Sequence, residues 1–212
     1  MEKLEFDKST GTITKYIGEE SNVTIPSKID DIPVISIGHR TFMFCKSIKS
    51  ISIPDSVTSI GDSAFAFCES LESIIIPDSV TTIDDCAFFN CKSLKSVTIP
   101  DSVKTIGICA FDYCSSLESF VIPNGITTIG ADTFHCCTSL KNVTIPNSVT
   151  KIGEEAFVGC TSLESIIIPD GVTFIGKGAF AFCESLKSVS LPGSVDIEPI
   201  AFWECPAKIN HR

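Results

Sequence analysis

The sequence has no uninterrupted run of eighteen apolar residues, and its start, MEKLEFDKSTG, lacks the apolar stretch of a secretory signal. A transmembrane helix needs about 20 apolar residues, so we expect no membrane insertion. The missing signal predicts a cytoplasmic location if the chain is complete as given. Basic residues are outnumbered: 16 Lys and Arg stand against 26 Asp and Glu, a formal net charge of −10. Because phosphate backbones repel such a molecule, we expect no nucleic-acid partner.

Histidine is also scarce, and the three histidines (His39, His135 and His211) lie far apart in the sequence. The chain has no HExxH motif, no glycine loop of the phosphate-binding kind and no nucleophile elbow. Catalysis requires a local break in a pattern, where an acid, base or nucleophile appears because chemistry demands it. We therefore expect no enzyme activity, no catalytic or metal residues and no cofactor.

What the sequence does contain is a repeat. Seven prolines follow one another at intervals of 23 residues: Pro54, Pro77, Pro100, Pro123, Pro146, Pro169 and Pro192. A fixed period of this length is the signature of a solenoid. The apolar positions recur in the same register, as in the phenylalanines Phe65, Phe88, Phe111, Phe134, Phe157 and Phe180. One unit of this size cannot bury its own apolar side chains, so each unit must stack on its neighbours.

Each unit is expected to hold one strand and one tight turn. The segment 73–76, SIII, is β-branched and alternating, which predicts a short strand ended by Pro77. A glycine column that includes Gly61 and Gly107 predicts a turn with positive φ, and Asp84 at the same position tolerates that conformation. The AFxxC segment that follows has room for a turn or two of 3₁₀-like helix.

The two ends deviate from the repeat. Residues 1–25 hold two alternating stretches around a Ser-Thr-Gly turn, which predicts an N-terminal β-hairpin cap. Residues 26–191 form the repeats, and the first unit carries a five-residue insertion because Pro26 precedes Pro54 by 28 residues. Residues 192–212 are interpreted as a degenerate last repeat and C-terminal cap, including Trp203 and Pro206, since Phe202 and Cys205 arrive one position early.

The pattern LxxIxIPxxVxxIGxxAFxxC resembles the BspA-like leucine-rich repeats, a surface-antigen type with 23-residue repeats, over roughly residues 23–205. This resemblance implies a repeat solenoid, a right-handed superhelix with a parallel β-sheet on the concave face and short 3₁₀ or turn segments on the convex face. It also implies adhesion to host or matrix proteins and a cell-surface or extracellular location. It supplies no catalytic residues.

Eight of the eleven cysteines fall at one repeat position: Cys45, Cys68, Cys91, Cys114, Cys137, Cys160, Cys183 and Cys205. We expect these to form a buried column of free thiols that donate to backbone carbonyls, because parallel Cβ vectors are poorly disposed for a disulfide. Cys86, Cys109 and Cys136 lie outside the column. A zinc site at Cys86 and Cys109 is disfavoured by their spacing, and chance substitution at a tolerant outer position is the simpler interpretation.

A candidate partner surface follows from the facing of the strands. Side chains that point away from the core on the concave face are expected at Ser73, Ile75, Ser96, Thr98, Ser119, Val121, Asn142, Thr144, Ser165 and Ile167. Such a flat, weakly polar face accepts a protein surface but offers no deep pocket for a small molecule. The alternative is that Ser and Thr stand there only because they suit an exposed strand.

Three further columns have a regular character. Charges alternate in sign along Lys49, Glu72, Lys95, Glu118, Lys141, Glu164 and Lys187, which favours this stacking register. A row of Asp and Asn residues follows the strands: Asp55, Asp78, Asp101, Asn124, Asn147 and Asp170. Turn formation explains this Asp and Asn row as well as attraction of cations does. Aromatic residues beside the repeat phenylalanine (Phe44, Phe67, Phe89, Tyr113 and Phe182, with Met43) form either an exposed contact strip or additional core.

Two functions remain open on this sequence. The first is a non-enzymatic protein-binding or adhesion module that acts through the solenoid surface on a protein ligand. The second is an intracellular or modular scaffold, whose specificity lies in a partner domain. The oligomeric state expected is a monomer or a weak homodimer.

Overall fold

The computed structural model describes residues 3–212 and contains 21 strands, which we number β1 to β21 in chain order. Nine of them follow one another along the concave face: β3 (Asn22–Thr24), β7 (Ser50–Ser52), β9 (Ser73–Ile75), β11 (Ser96–Thr98), β13 (Ser119–Val121), β15 (Asn142–Thr144), β17 (Ser165–Ile167), β19 (Ser188–Leu191) and β21 (Lys208–His211). The predicted solenoid with a parallel concave sheet is therefore confirmed. The first eight strands precede the eight repeat prolines, and β21 adds one strand beyond the last of them.

The register of the concave sheet is the repeat itself. Ser73 of β9 pairs with Ser96 of β11, and Ser165 of β17 pairs with Ser188 of β19, each one unit apart and parallel. The sheet is divided into three sections, β3-β7-β9-β11, β13-β15 and β17-β19-β21. Every rung thus places identical or similar side chains above one another, which is the arrangement that the sequence columns predict.

A second row of two-residue strands, which the sequence analysis did not predict, runs along the solenoid after the proline turns. It comprises β6 (Ser36–Ile37), β8 (Ser59–Ile60), β10 (Thr82–Ile83), β12 (Thr105–Ile106), β14 (Thr128–Ile129), β16 (Lys151–Ile152), β18 (Phe174–Ile175) and β20 (Asp196–Ile197). These strands are too short to alternate visibly in the sequence. They pair in parallel and are divided between β12 and β14.

The N-terminal end closes with antiparallel strands. β1 (Lys3–Asp7) pairs with β2 (Thr12–Ile17) across a turn that includes Gly11, and β2 continues the second row by pairing in parallel with β6. The insertion of the first unit forms a small hairpin of β4 (Lys28–Ile29) and β5 (Ile32–Pro33). Its two connecting residues, Asp30 and Asp31, both have positive φ, which Asp tolerates better than most residues.

The convex segments are short turns closed by hydrogen bonds three residues apart, as in the amide of Ala66, which donates to the carbonyl of Ser63 at 3.1 Å. The predicted turn segments are therefore confirmed, and within residues 3–212 they do not extend into a helix. The reason is that each unit has two left-handed residues, four positions apart, and these interrupt any helical run. The first position is taken by Arg40, Ser63, Cys86, Cys109, Asp132, Glu155, Gly178 and Ile200. The second is taken by Phe44, Phe67, Asn90, Tyr113, Cys136, Gly159, Phe182 and Glu204. The convex backbone therefore turns back and forth instead of coiling.

This conformation gives the convex side its own ladder between units. The amides of Ser63, Phe65 and Phe67 donate to carbonyls of the next unit at 2.9, 2.8 and 2.8 Å. The same alternation recurs in later units, as in the amide of Phe88, which donates to the carbonyl of Ala110 at 2.8 Å. Neighbouring units are thus joined by backbone hydrogen bonds on the convex side as well as in both rows of strands.

The expectation that the glycine column has positive φ was wrong. Gly153 and Gly176 have ordinary φ, and so does Asp84 at the equivalent position. At Gly176 glycine permits a close approach, because a Cβ there would lie 2.6 Å from the amide nitrogen of Glu154 in the preceding unit. On Gly153 it would lie 2.7 Å from the amide nitrogen of Ala131. The left-handed conformation falls two residues later.

The core is a stack of phenylalanine rings. Successive rings from Phe42 to Phe111 lie 5.2 Å apart between centroids and are nearly parallel. The spacing widens to 5.8 Å between Phe111 and Phe134, where the ring of Phe120 packs edge-on against both. Both rows of strands are divided at this same interface between units. Phe202 completes the stack at 5.3 Å from Phe180.

All eleven cysteines are free, and six of the eight column cysteines are buried as expected. The two at the ends of the column, Cys45 and Cys205, are half-buried. The thiols of six buried cysteines donate to the carbonyl of a repeat phenylalanine, 26 residues earlier, at 3.1 to 3.2 Å: Cys68, Cys91, Cys114, Cys137, Cys160 and Cys183. Burial raises the pKa of these thiols, to about 12 for Cys183 and well above the ordinary value for Cys91 and Cys137. A protonated thiol is therefore required by the folded state.

The raised pKa values predict a loss of stability in alkali. In the unfolded chain thiols ionise near about pH 8.5, whereas the folded column stays protonated. The free energy of unfolding is fully retained below that pH and falls as the pH rises towards the folded pKa values. Each buried thiol contributes a slope of about 1.4 kcal/mol per pH unit. Urea titrations between pH 7 and 10.5 in reductant measure this slope.

The matched variant replaces two column cysteines, Cys91→Ala and Cys137→Ala. In the alkaline range its free energy of unfolding should fall less steeply with pH, and the two slopes should differ by about 2 to 3 kcal/mol per pH unit. Equal slopes for the two proteins would contradict the buried-thiol account.

The alternation of buried and exposed side chains in the concave strands predicts unequal losses of stability when neighbouring residues are replaced. Ile74 is 3% exposed and Ile75 is 72% exposed. We expect Ile74→Ser to lower the free energy of unfolding by about 3 kcal/mol or more, because it leaves a cavity and buries a hydroxyl. Ile75→Ser should change it by less than about 1 kcal/mol. Chemical denaturation at pH 7 gives both values, and similar losses in the two variants would refute the assigned facing.

Candidate binding surfaces

The ten residues of the predicted partner surface lie on the concave face, and all ten are exposed. Three of them are aliphatic: Ile75, Val121 and Ile167 are 72%, 66% and 65% exposed. Their neighbours in the same column, Thr98 and Thr144, carry hydroxyls. An exposed apolar side chain therefore recurs in every second unit, about 10 Å apart for strands spaced about 5 Å.

The C-terminal end of the concave face is bordered by Arg212. Its guanidinium donates to the carbonyl of Ile168 at 2.6 Å and to the carboxylate of Asp170 at 2.9 Å. Asp170 is the last member of the Asp and Asn row that follows the strands. This contact joins the end of β21 to the end of β17, two strands earlier in the concave sheet, and it places a basic group beside the Asp and Asn row.

The Asp and Asn row is built for turns. The turn that holds Asn124 is closed by the amide of Ile126, which donates to the carbonyl of Pro123 at 3.0 Å. Between neighbouring units, the backbone amide and the side-chain amide of Asn124 donate to the two carboxylate oxygens of Asp101 at 2.9 and 3.0 Å. These hydrogen bonds lower the pKa of Asp101. Within residues 3–212 no group of three or more His, Cys, Asp or Glu side chains is placed to hold a metal ion. The geometry of this row fits its turn-forming role.

The alternating charge row is paired in two places. The ammonium group of Lys141 lies 3.6 Å from the carboxylate of Glu118, and that of Lys187 lies 3.7 Å from Glu164. All four side chains are more than half exposed. Exposed pairs of this kind contribute only about 0 to 1 kcal/mol. The row supports the stacking register and is too well solvated to act as a strong anchor for a ligand.

The aromatic residues on the opposite flank are neither wholly exposed nor core. Phe44, Tyr113 and Phe182 are exposed, whereas Phe67 and Phe89 are half-buried. They contact one another along the solenoid: centroids of Phe44 and Phe67 lie 4.6 Å apart, and those of Phe67 and Phe89 lie 5.1 Å apart. Both alternatives left open by the sequence are thus partly correct, and the exposed members form what we call the aromatic strip.

The three cysteines outside the column occupy left-handed positions of the convex turns. Cys86 and Cys109 are neighbours in the first position, and Cys136 is in the second. All three are half-buried. Burial raises the pKa of each, to about 12 for Cys109. The sequence did not predict that these cysteines have positive φ, because Gly and Asn, the usual indicators of that conformation, are rare at the left-handed positions.

One cluster was missed by the sequence analysis. The imidazole Nδ1 of His135 lies 2.8 Å from the carboxylate of Asp112, and its Nε2 lies 3.5 Å from the thiol of Cys136. Asp112 and His135 occupy the same repeat position in consecutive units, directly before the second left-handed residue. Other units have apolar residues there, and this contrast is the sequence signal that identifies the cluster. Burial raises the pKa of Asp112, and the hydrogen bond from His135 opposes that shift.

Residues 3–212 contain no helix of the length and apolar character that a membrane crossing requires. Comparison with curated proteins found no match.

Over nearly its whole length, the chain is similar to solved leucine-rich repeat proteins, two of which are as follows. The leucine-rich repeat protein of T. pallidum is 31% identical with a TM-score of 0.71, and the match covers 97% of this chain and 86% of that one. A leucine-rich repeat protein from Bacteroides ovatus is 28% identical with a TM-score of 0.63, covering 99% and 69%. The family model for the BspA type leucine-rich repeat region matches residues 12–115, 35–161 and 87–209. The chain belongs to the BspA-type leucine-rich repeat family.

Proposed function

We propose that the chain is a non-enzymatic adhesion module that binds a protein ligand on its concave face. A leucine-rich repeat solenoid is a protein-binding type of repeat module, and what supports the concave face is the row of Ile75, Val121 and Ile167. These three side chains are the apolar members of an exposed surface of hydroxyl and amide groups. Their regular spacing along the solenoid matches an extended partner surface.

The energetics of this face favour a macromolecular ligand. Covering an aliphatic side chain of this size contributes about 1.5 to 3 kcal/mol, and the surrounding Ser, Thr and Asn supply hydrogen bonds at the rim. The hollows along this face are wide open to solvent, whereas a small molecule needs a concave pocket that covers most of its surface. The net charge of −10 opposes a nucleic-acid ligand. A cell-surface location, and the division of the chain after residues 25 and 191, are parts of the same proposal.

The test uses immobilised matrix proteins (collagen, laminin and fibronectin) and measures binding by surface plasmon resonance. We expect binding to at least one of them, and a loss of at least about tenfold in affinity for the triple variant Ile75→Arg, Val121→Arg, Ile167→Arg. The control is Ile108→Arg, which changes an exposed aliphatic residue outside the concave face. Binding that survives the triple substitution, or is lost in the control, would refute the concave site, and no binding to any of the proteins would refute matrix adhesion.

The second candidate is a modular scaffold, and the aromatic strip is the observation that favours it. Phe44, Tyr113 and Phe182 expose rings at left-handed positions, where a bulky residue costs about 1 to 2 kcal/mol relative to glycine. A ring placed at such a cost on the surface is typical of a contact site rather than of packing.

Light scattering across protein concentrations distinguishes the two candidates. If the strip mediates assembly, the double variant Phe44→Ala, Tyr113→Ala should shift a concentration-dependent dimer to monomer. An unchanged oligomeric state with a lower melting temperature would assign these rings to packing and reject the scaffold role.

A further inference from the structure

The convex column that contains Asp112 and His135 is apolar at its other positions. Its other members are Met43, Ala66, Phe89, Val158 and Ala181. The two ionisable residues stand in consecutive units, and their side chains are only 9% and 20% exposed. Burying two polar groups costs free energy that an apolar pair at this position would not. The pair is therefore poorly explained by stacking alone.

His135 joins this pair to a thiol. With the Asp112 carboxylate 2.8 Å from Nδ1, the proton of a neutral imidazole resides on Nδ1 and leaves Nε2 as an acceptor. Nε2 faces the thiol of Cys136 at 3.5 Å. The ring of Tyr113 packs edge-on against the imidazole, with centroids 5.2 Å apart, and restricts its rotation. The arrangement is that of a nucleophile, a base and a residue that orients the base.

The thiol is also left uncovered on one side. The next unit places Gly159 above Cys136, and a Cβ there would lie 3.3 Å from the sulfur. Other units have Phe67, Asn90 or Phe182 at the equivalent position. Tyr113 approaches from the preceding unit. Burial raises the pKa of the Cys136 thiol, and the Tyr113 side chain opposes that rise. The aromatic strip is thus interrupted at the sulfur.

We propose that Cys136 is a thiol–disulfide exchange site that accepts small aliphatic disulfides, with His135 as the general base and Asp112 as the residue that positions it. Nε2 of His135 takes the thiol proton as the sulfur of Cys136 attacks one sulfur of the ligand. A new S–S bond forms and the ligand's own S–S bond breaks. The leaving sulfur takes the proton from His135 and departs as a thiol. Cys136 is oxidised to a mixed disulfide, and the ligand's second sulfur is reduced.

The base is needed because the thiol does not ionise by itself at neutral pH. Burial and the charge of Asp112 raise the pKa of Cys136. Cys86 and Cys109 are half-buried to a similar extent and also have raised pKa values, but they contact each other and not an imidazole. They are internal reference thiols in the same chain. The titratable groups around Cys136 are Asp112, Tyr113, His135 and the buried Cys160, while Asp132 acts on Asp112.

The experiment treats the full chain with excess cystamine at pH 7 and follows each cysteine by peptide mass spectrometry. We expect Cys136 to form its mixed disulfide at least about tenfold faster than Cys86 or Cys109, since a positioned base accelerates proton transfer by about 10² to 10⁴. In the double variant Asp112→Ala, His135→Ala this advantage should disappear. The column already contains Ala66 and Ala181, so the variant replaces the pair with residues that the fold uses there.

A second variant leaves the base in place and covers the sulfur. Gly159→Asn introduces the residue that Asn90 provides at the same left-handed position, and it should slow the modification of Cys136 at least about tenfold while leaving Cys86 unchanged. Circular dichroism checks that each variant is folded. Modification of Cys136 no faster than that of Cys86, or an unchanged rate in both variants, would overturn the proposal.

The pH profile separates positioning by Asp112 from a structural role. With the base in place, the rate at Cys136 should change little between pH 7 and 8.5, because proton transfer to the imidazole replaces ionisation of the thiol. In Asp112→Asn the imidazole is no longer held with Nε2 as acceptor, so the rate at pH 7 should be lower than in the unmodified protein. It should then increase about tenfold per pH unit, because only the thiolate reacts. A profile of the same shape in both proteins would show that Asp112 has no part in the reaction.

Discussion

The structure depends on backbone hydrogen bonds between residues about 23 positions apart. They form along the concave strands, along the second row of short strands and along the convex turns, where the amides of Ser63, Phe65 and Phe67 reach the next unit. A peptide group buried without a partner is costly. No unit can satisfy these groups by itself, so each requires a neighbour in exact register. The insertion and the shortened last unit are accommodated only at the ends.

This constraint explains the uniformity of the side-chain columns. Rings 5.2 Å apart stack face to face only if every unit presents a ring of the same size, and the column thiols reach a carbonyl only from the same position. Phe120 is the exception to this uniformity. It replaces a smaller aliphatic residue and packs against two rings of the stack, and both rows of strands are divided at the widened interface. The Asp112–His135 pair bridges that same interface, where the convex hydrogen bonds continue.

Much of this architecture could be predicted because the repeat converts sequence spacing into spatial contact. The aligned repeat positions predicted which of Ile74 and Ile75 is buried. They also showed that Phe202 comes one position early in the last repeat. The left-handed positions could not be predicted, because residues as different as Phe67, Cys86 and Glu155 adopt the same conformation. The hydrogen bonds between units on the convex side require that conformation whatever the residue type. The Asp112–His135 contact was missed because neither residue is unusual alone. Only alignment of their column shows two ionisable residues among apolar ones.

The most direct test of the account is amide hydrogen exchange on the convex turns, measured residue by residue by NMR. If the convex backbone forms a continuous ladder, the amides of Phe65 and Phe88, which donate to the next unit at 2.8 Å, should exchange as slowly as the amides of the concave strands. Exchange of these amides at the rate of an unprotected surface loop would contradict the central claim that units are joined by backbone hydrogen bonds on the convex side as well as the concave one.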